Sequence, residues 1–534
     1  MRQLWFAPAL ASCVLVPTFA AAVDPPAETV PDAVKSITAK AIGGHLRFLA
    51  SDMMKGRDTA SPELRVAGEY LAAHLFGAGA EPLGDQGLGA RTFFRRFPLE
   101  VVTAREEGTE LSLVLELNGS RRIVPCKLGT DFVLFPTGIV PGEIEAPIVF
   151  AGYGRVDASN KIDDYAGLDV KNRFVLVYRE QPGAQASRPR TEGRRTRPLS
   201  NTSAQSDQVR KNGALGMLVI EPPGSDSPAP GISLAGRNSG FSRPRMTLGH
   251  PPSSLPVISL ADPIRDVLVE ACGLTADTKG QLLGGGGVRA RFRFAATTEM
   301  KEDRNVIGFF PGSDPEKKKE IIIFSAHYDH VGVDEKGEIF NGSDDNASGT
   351  STLLEIAQAF GQGPRPARSV AFLWVSGEEK GLLGSQWFAD HMNLPADHKI
   401  VADINLDMVS RNDPKKIGVA PSPKHGDYNS LIPAAQSSCL AEGIEVVFDA
   451  DQFYRRTDSY SFASKGIPII FFFSGIHADY HRPTDDIEKA DLEKAARIAR
   501  AAYRLGWQVA QGREAPKKIK DESKAKADST ITSK

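Results

Sequence analysis

The sequence predicts an α/β protein: a mostly parallel mixed sheet with helices on both faces, carrying a small β-rich insert. Three observations carry this. From Asn305 onward, short unbroken apolar runs alternate with helical patterns, the spacing of strands joined by crossover helices. Between about Gly142 and Leu260 the texture changes to short apolar runs separated by long loops rich in Gly, Pro, Ser and Arg. The chain has 534 residues, too many for one core, so two domains with tails are expected.

The N-terminus reads differently. Arg2 precedes an apolar run from Leu4 to Phe19 that ends in Ala20-Ala21-Ala22, the layout of a secretory signal cleaved near Ala22. The run is shorter than the roughly 20 residues needed to span a bilayer, and it contains Pro8 and Pro17. Leu10-Ala11-Ser12-Cys13 also resembles a lipoprotein box, but cleavage before Cys13 would leave VLVPTFAAA exposed on the mature chain. The expected location is therefore secreted or periplasmic, with no integral membrane segment once the signal is removed.

From Ile37 to Phe97 the pattern is largely helical. Leu46, Leu49 and Met53 mark one helix; Ser61-Pro62 caps a second that runs through Leu64, Ala67, Leu71 and Leu75 to Gly77. This stretch reads as packing material without chemistry. Glu110 to Val124 alternates apolar and polar residues, as half-buried strands do. In the insert, Ile148 to Ala151, Phe174 to Tyr178, Gly216 to Ile220 and Val257 to Leu260 are the short strands. Its loop QPGAQASRPRTEGRRTRP gathers Arg188, Arg190, Arg194, Arg195 and Arg197 without interleaved aromatics, so it reads as a solvated loop and not as a nucleic-acid patch. A net charge of -2 likewise gives no bulk attraction to nucleic acid or acidic lipid.

Val288 to Phe294 alternates, Asn305 to Phe310 is a strand, and Ile321 to Phe324 is an apolar run expected to be buried on both faces. A helix follows Asp345, with Leu353, Ile356, Ala357 and Phe360 on one face and Gly361 as its stop. Then come Val370 to Val375, a helix near Ser385, Ile400 to Leu406, Ile467 to Phe473 and a terminal helix from Leu492. After Gly512 the charged tail is expected to be disordered.

Each late strand ends in carboxylates or imidazoles: His327 and Asp329, then Glu378 and Glu379, then Asp407, then Tyr480 and His481. In open α/β sheets, sites form beyond the carboxyl ends of the strands. Asp345, at a helix start, gains from the helix dipole as an anion. Taken singly, each is unremarkable surface or capping chemistry. Together they imply compensating cations, because burying so many carboxylates is costly otherwise. With Cys13 removed, Cys126, Cys272 and Cys439 form no CxxC, so the ligands are His and carboxylate. Such a set suits zinc best and also fits manganese or cobalt. Two His and three carboxylates, one of them bridging, match a two-metal hydrolytic centre, in which bound water has a lowered pKa and the scissile carbonyl is polarised. One of Glu378 and Glu379 is then left as a proton carrier. Asp329 is placed to accept the second imidazole N–H of His327. His330, Asp334 and Asp344 also look like ligands at first. No H-E-x-x-H, G-x-S-x-G or nucleotide-binding glycine pattern is present.

With AHYDHVG, NGSDDNASG, SGEEKGLLGS, NLDMV and DYHRPTDD in that order, the chain resembles the M28 zinc peptidases, which have a phosphorylase/hydrolase-like α/β sheet and two co-catalytic zinc ions. The resemblance implies His327, Asp345 and Asp407 around one zinc and Asp345, Glu379 and His481 around the other. It leaves His330, Asp334 and Asp344 as neighbours. Asp345 takes the bridging role because it directly precedes NASG, with a cis peptide expected at Asp345-Asn346. Glu378 matches the catalytic base, and Tyr480 a residue that steadies the oxyanion. FAGYG, DDYAGLDVKNRFVLVYRE and QVRKNGALGMLVIEPP resemble a protease-associated domain. Where relatives commonly carry R-S-D-H, this chain has Arg456-Thr457-Asp458-Ser459, which leaves Arg456 and Asp458 as candidate substrate contacts.

The organisation that follows is a signal at 1–22, peptidase-domain residues at 35–140 and 263–511, the insert at 141–262 and the tail at 512–534. The implied activity is removal of N-terminal residues from peptides by a metal-bridged hydroxide with Glu378 as general base. Carboxypeptidase, dipeptidase or glutamine-cyclising chemistry on the same scaffold, and a non-catalytic binding protein, are the alternatives.

Overall fold

The computed structural model describes residues 30–134, 141–157, 160–179, 200–223, 244–249, 255–275 and 277–519. The expected signal segment with Cys13, the loop holding Arg188, Arg190, Arg194, Arg195 and Arg197, and residues 520–534 lie outside these.

Ile321 to Phe324 forms the middle of the strand Glu320–His327, buried from Ile321 to its end. It pairs in parallel with Ser369–Val375 on one side and Lys399–Asp407 on the other, and Lys399–Asp407 pairs in parallel with Ile469–Phe473. All four are buried along almost their whole length because both faces of the sheet are covered. Toward the margins the pairing turns antiparallel. Ala296–Phe310 lies against Ser369–Val375 and Phe94–Ala104, and Lys416–Ala420 lies against Ile469–Phe473. The result is a mixed ten-stranded sheet, parallel at its centre.

The two faces follow from the period of two along each strand. Ile322 and Phe324 share a core with the helices Ala39–Leu49, Pro62–Gly77, Gly349–Gln362, Leu431–Ala441 and Leu492–Gln511. Ile321 and Ile323 face the other way, onto Phe388 of Leu383–Asp390 and Phe462 of Ser459–Ala463. Helix starts come where the sequence puts them. The Ser61 side chain accepts from Leu64 N, with Pro62 opening that helix, and Asp491 caps the last helix by accepting from Lys494 N.

Two local expectations fail. The helix containing Leu46 and Leu49 stops at Leu49, and Met53 is 83% exposed in a tighter turn. Phe94–Ala104 is a strand, so the helical reading carried to Phe97 runs too far. Pairing with Ala296–Val306 decides that stretch, and its aromatic and β-branched residues suit a strand.

A second, nine-stranded sheet surrounds its own core. Gly142–Phe150, Phe174–Tyr178, Gly216–Ile220 and Val257–Leu260 run parallel in it. It is wider than 141–262, since it also takes Glu110–Leu117, Ser120–Cys126 and Val288–Phe294. Arg245–Thr247 instead joins the first sheet beside Phe94–Ala104. The start of the tail is also built in: Ile519 N donates to Tyr428 O at 2.9 Å, and Lys518 bridges to Asn429.

Candidate metal centre

The carboxyl ends of the central strands converge. His327 closes Glu320–His327, Asp407 closes Lys399–Asp407, Glu379 lies four residues past Val375, and His481 lies eight past Phe473. Asp345 sits in the turn Ser343–Ser348 ahead of the helix Gly349–Gln362.

Two donor clusters form here and share Asp345. In the first, His327 Nε2 is 3.3 Å from Asp345 Oδ1 and 3.4 Å from Asp407 Oδ1. In the second, His481 Nε2 is 3.0 Å from Asp345 Oδ2 and 3.0 Å from Glu379 Oε2. The two oxygens of Asp345 therefore face different clusters, as a bridging carboxylate requires. His330 joins the second cluster, with Nδ1 3.0 Å from Glu379 Oε1. Five residues expected around two cations are thus brought together, along with one that the sequence reading left as a neighbour.

Local sequence explains how Asp345 and Asp407 are presented. The Asp345-Asn346 peptide is cis, as the resemblance implies. Asn346 Nδ2 donates to Leu406 O at 3.0 Å, and its Oδ1 accepts from Met408 N at 3.1 Å and Gly349 N at 2.9 Å. Gly349 is required by close approach: a Cβ there would lie 2.3 Å from Asn346 Oδ1. Met408, at φ +54°, turns the chain out of its strand directly after Asp407. Asp485, which the sequence reading passed over inside DYHRPTDD, accepts from Asp344 N at 3.1 Å and Asp345 N at 3.2 Å. Asp344 is a neighbour in fact as well, accepting from Ser410 N at 2.8 Å and Ser410 Oγ at 2.7 Å and facing His477 at 3.3 Å.

The stretch read as packing material supplies the back wall. Arg57 is 1% exposed and donates to four main-chain carbonyls: Tyr328 O at 3.1 Å, Asn341 O at 2.9 Å, Gly342 O at 3.1 Å and Leu49 O. Its own carbonyl accepts from His330 N at 3.0 Å. Asp58 pairs with Lys380 at 2.6 Å, directly beside Glu379. Lys55, Arg57 and Ala60 all have positive φ, a strained conformation for side chains of this kind that persists where surroundings over-determine it. A polar run between two helical patterns was the signal; its contacts were not readable.

Asp329 accepts from His327 as expected, but with its main-chain carbonyl and not its carboxylate. The ring Nδ1 lies 3.2 Å from the Asp329 carbonyl oxygen and 3.7 Å from its carboxylate. That carboxylate is taken up by Thr59 Oγ1 at 2.8 Å and Glu378 N at 3.3 Å, so it anchors the loop that carries Glu378. Glu378 lies outside both clusters. Tyr480 stacks on His481 with ring centroids 3.9 Å apart. Asp458 is 1% exposed and its Oδ1 has no hydrogen-bond partner. Arg456 is exposed, its guanidinium 5.5 Å from the centroid of Phe453.

The electrostatics are those of a site short of positive charge. Burial, with Glu379, Asp458 and Asp407 adding to it, raises the Glu378 carboxyl well above its usual range despite His327. Burial also raises Asp407 and takes Asp458 to about 7. His481 resists burial and rises to about 10 because Asp345 and Glu379 hold its proton. His327 Nε2 and Asp407 Oδ1 are buried without a hydrogen-bond partner. Unpartnered donor atoms, a bridging carboxylate and a His and carboxylate donor set fit divalent zinc.

Residues 305–505 match the sequence model of peptidase family M28. The chain is 29% identical over 222 residues to aminopeptidase YwaD of Bacillus subtilis, covering 40% of this chain and 46% of that one. It is 25% identical over 260 residues to the probable lipoprotein aminopeptidase LpqL of Mycobacterium tuberculosis, covering 42% and 49%. The chain thus spans about half the length of the curated relatives it matches. The solved aminopeptidase from Aneurinibacillus sp. superimposes with a TM-score of 0.55 at 20% identity, over 92% of this chain and 98% of that one, which shows a shared fold.

Proposed function

We propose that this chain, whose residues 305–505 form an M28 peptidase domain, is a zinc-dependent aminopeptidase with a two-ion centre. The observation that carries the reading is the pair of buried donor clusters sharing Asp345. His327, Asp345 and Asp407 would hold one ion, and Asp345, Glu379 and His481 the other. Bound zinc would polarise the scissile carbonyl and bring the pKa of water down from about 15.7 to about 7.

The protein's own groups do the rest. Glu378, outside both clusters and with a raised carboxyl pKa, takes the proton of the attacking water and returns it to the departing amine. Tyr480, held by its stack on His481, donates its hydroxyl to the oxygen that becomes negative. Asp458 offers an unpartnered carboxylate oxygen to the substrate's α-ammonium, and Arg456 reaches the chain from the exposed side. The insert is a protease-associated domain in this reading. The protein is secreted or periplasmic: the N-terminal signal pattern supports this, and among the described residues no helix is long and apolar enough to cross a membrane.

The test is a chelator titration with zinc added back, using aminoacyl-arylamides as substrates. Activity should vanish on chelation, return with zinc, and fall roughly 100- to 10,000-fold in Glu378→Gln at unchanged zinc content. Activity indifferent to chelation, or undiminished in that variant, rejects the mechanism. Mass spectrometry of products from a mixed peptide library separates N-terminal from C-terminal trimming.

A further inference from the structure

We propose that His330 is a fourth protein ligand of the ion held by Asp345, Glu379 and His481, so that the two positions of the centre are unequal. The inference rests on the reading that the centre binds zinc.

Donors about 2.0–2.2 Å from one tetrahedral zinc lie about 3.4 Å from one another. In the second cluster His330 Nδ1 is 3.0 Å from Glu379 Oε1 and 3.9 Å from Asp345 Oδ2, while His481 Nε2 is 3.0 Å from Asp345 Oδ2 and 3.0 Å from Glu379 Oε2. These separations bracket the tetrahedral edge. All four donor atoms lie within 4.8 Å of one another.

The placement of His330 is built, not incidental. Its side chain has 0% exposure, and its main-chain N–H donates to Arg57 O at 3.0 Å. Its ring fills the space a side chain at position 342 would need, since a Cβ on Gly342 would lie 2.4 Å from His330 Cγ. Gly342 has φ +57°, a conformation glycine adopts freely. His330 lies three positions past His327, so one loop past one strand end serves both clusters. A four-ligand position is closed, as in structural zinc sites, whereas three ligands leave a place for water or substrate. The His330 position therefore binds its ion more tightly, and the His327, Asp345 and Asp407 position is the open one.

Another arrangement would place the same atoms here: an Nδ1–H that donates to Glu379 and merely orients it. Glutamine separates the two, because its amide can donate to Glu379 but cannot replace an imidazole ligand. The full-length protein is stripped with a chelator and titrated with zinc against a chromogenic competitor. Bound zinc is counted by atomic mass spectrometry, and melting curves are recorded throughout. The unsubstituted protein should bind two ions with unequal affinity. In both His330→Gln and His330→Ala the tighter ion should be lost or weakened beyond the roughly 10- to 100-fold cost of removing an outer partner, and the other retained. His327→Gln should weaken the other ion.

Recovery to within about tenfold of the unsubstituted protein in His330→Gln overturns the proposal in favour of orientation alone. So does equal loss at both positions with a lowered melting temperature. An unsubstituted protein that binds no zinc overturns both this inference and the proposed function. Two bound ions with the His330 effect intact and no peptide hydrolysis reject the peptidase reading while supporting this one.

Discussion

Asp403 gives the sharpest test of how the sheet carries buried charge. It lies inside Lys399–Asp407 with 0% exposure; its Oδ1 accepts from Ser325 Oγ at 2.7 Å, and its Oδ2 has no partner. Asn405 Nδ2 donates to the same Ser325 Oγ at 2.9 Å, and Thr457 Oγ1 donates to Asn405 Oδ1 at 3.1 Å, linking the strand to the Asp458 turn. Burial lifts the carboxyl from 3.8 to about 8; the Ser325 hydrogen bond opposes the rise and Asp458 adds to it. Between those values the folded protein keeps a proton that the unfolded chain has released. The contribution to stability is thus fully present below the unfolded pKa and is lost as pH rises towards 8. The slope is at most about 1.4 kcal/mol per pH unit, so about 3 kcal/mol disappears between about pH 5 and about pH 7.

Asp403→Asn has no such proton to lose, only a constant penalty of about 1–3 kcal/mol for an amide N–H without an acceptor. Urea unfolding of both proteins at saturating zinc, compared at each pH, cancels the other titrating groups. The variant should gain on the parent by about 3 kcal/mol over that interval. A difference that stays flat with pH would refute the reasoning and place a charged carboxylate in the core.

Three further outcomes are expected. Tyr480→Phe should lower kcat by roughly 100- to 1,000-fold with KM and zinc content nearly unchanged, the signature of a donor used only in the transition state; an equal rise in KM would reject that role. Arg57→Lys should lower unfolding free energy by roughly 2–6 kcal/mol, because an ammonium cannot reach all four carbonyls that the guanidinium serves and at least two are left bare. Denaturant melts read this directly, and an unchanged midpoint would reject it. Gly506→Ala should depress the melting temperature, since a Cβ there would stand 2.1 Å from Phe324 Cζ, and overpacking of about 1–3 kcal/mol outweighs the roughly 1 kcal/mol that alanine gains in helix propensity. A raised melting temperature would show that Phe324 has room to move.

Much of the candidate site was legible because its donor side chains are local consequences of where apolar runs end. The runs Ile321 to Phe324, Val370 to Val375 and Ile400 to Leu406 are buried on both faces, so the first polar groups after them must gather along one sheet edge. NASG showed its purpose too, since Asn346 and Gly349 act within a few residues of Asp345. The strand Phe94–Ala104 was not legible. Its partner lies some 200 residues away, and that pairing overrides the helical pattern leading into it.

The sequence by itself determined the α/β alternation and the candidate donors at the strand ends; which of them cluster, and the division between Glu378 and Glu379, it offered only through the resemblance to the M28 peptidases. Tertiary structure alone decided that Asp345 turns one oxygen to each cluster, that His330 enters the second, and that Arg57 closes the wall behind them. The reason is distance along the chain. Arg57 and Tyr328 are 271 positions apart, and no period or local propensity connects two such residues until the helices and the sheet have packed.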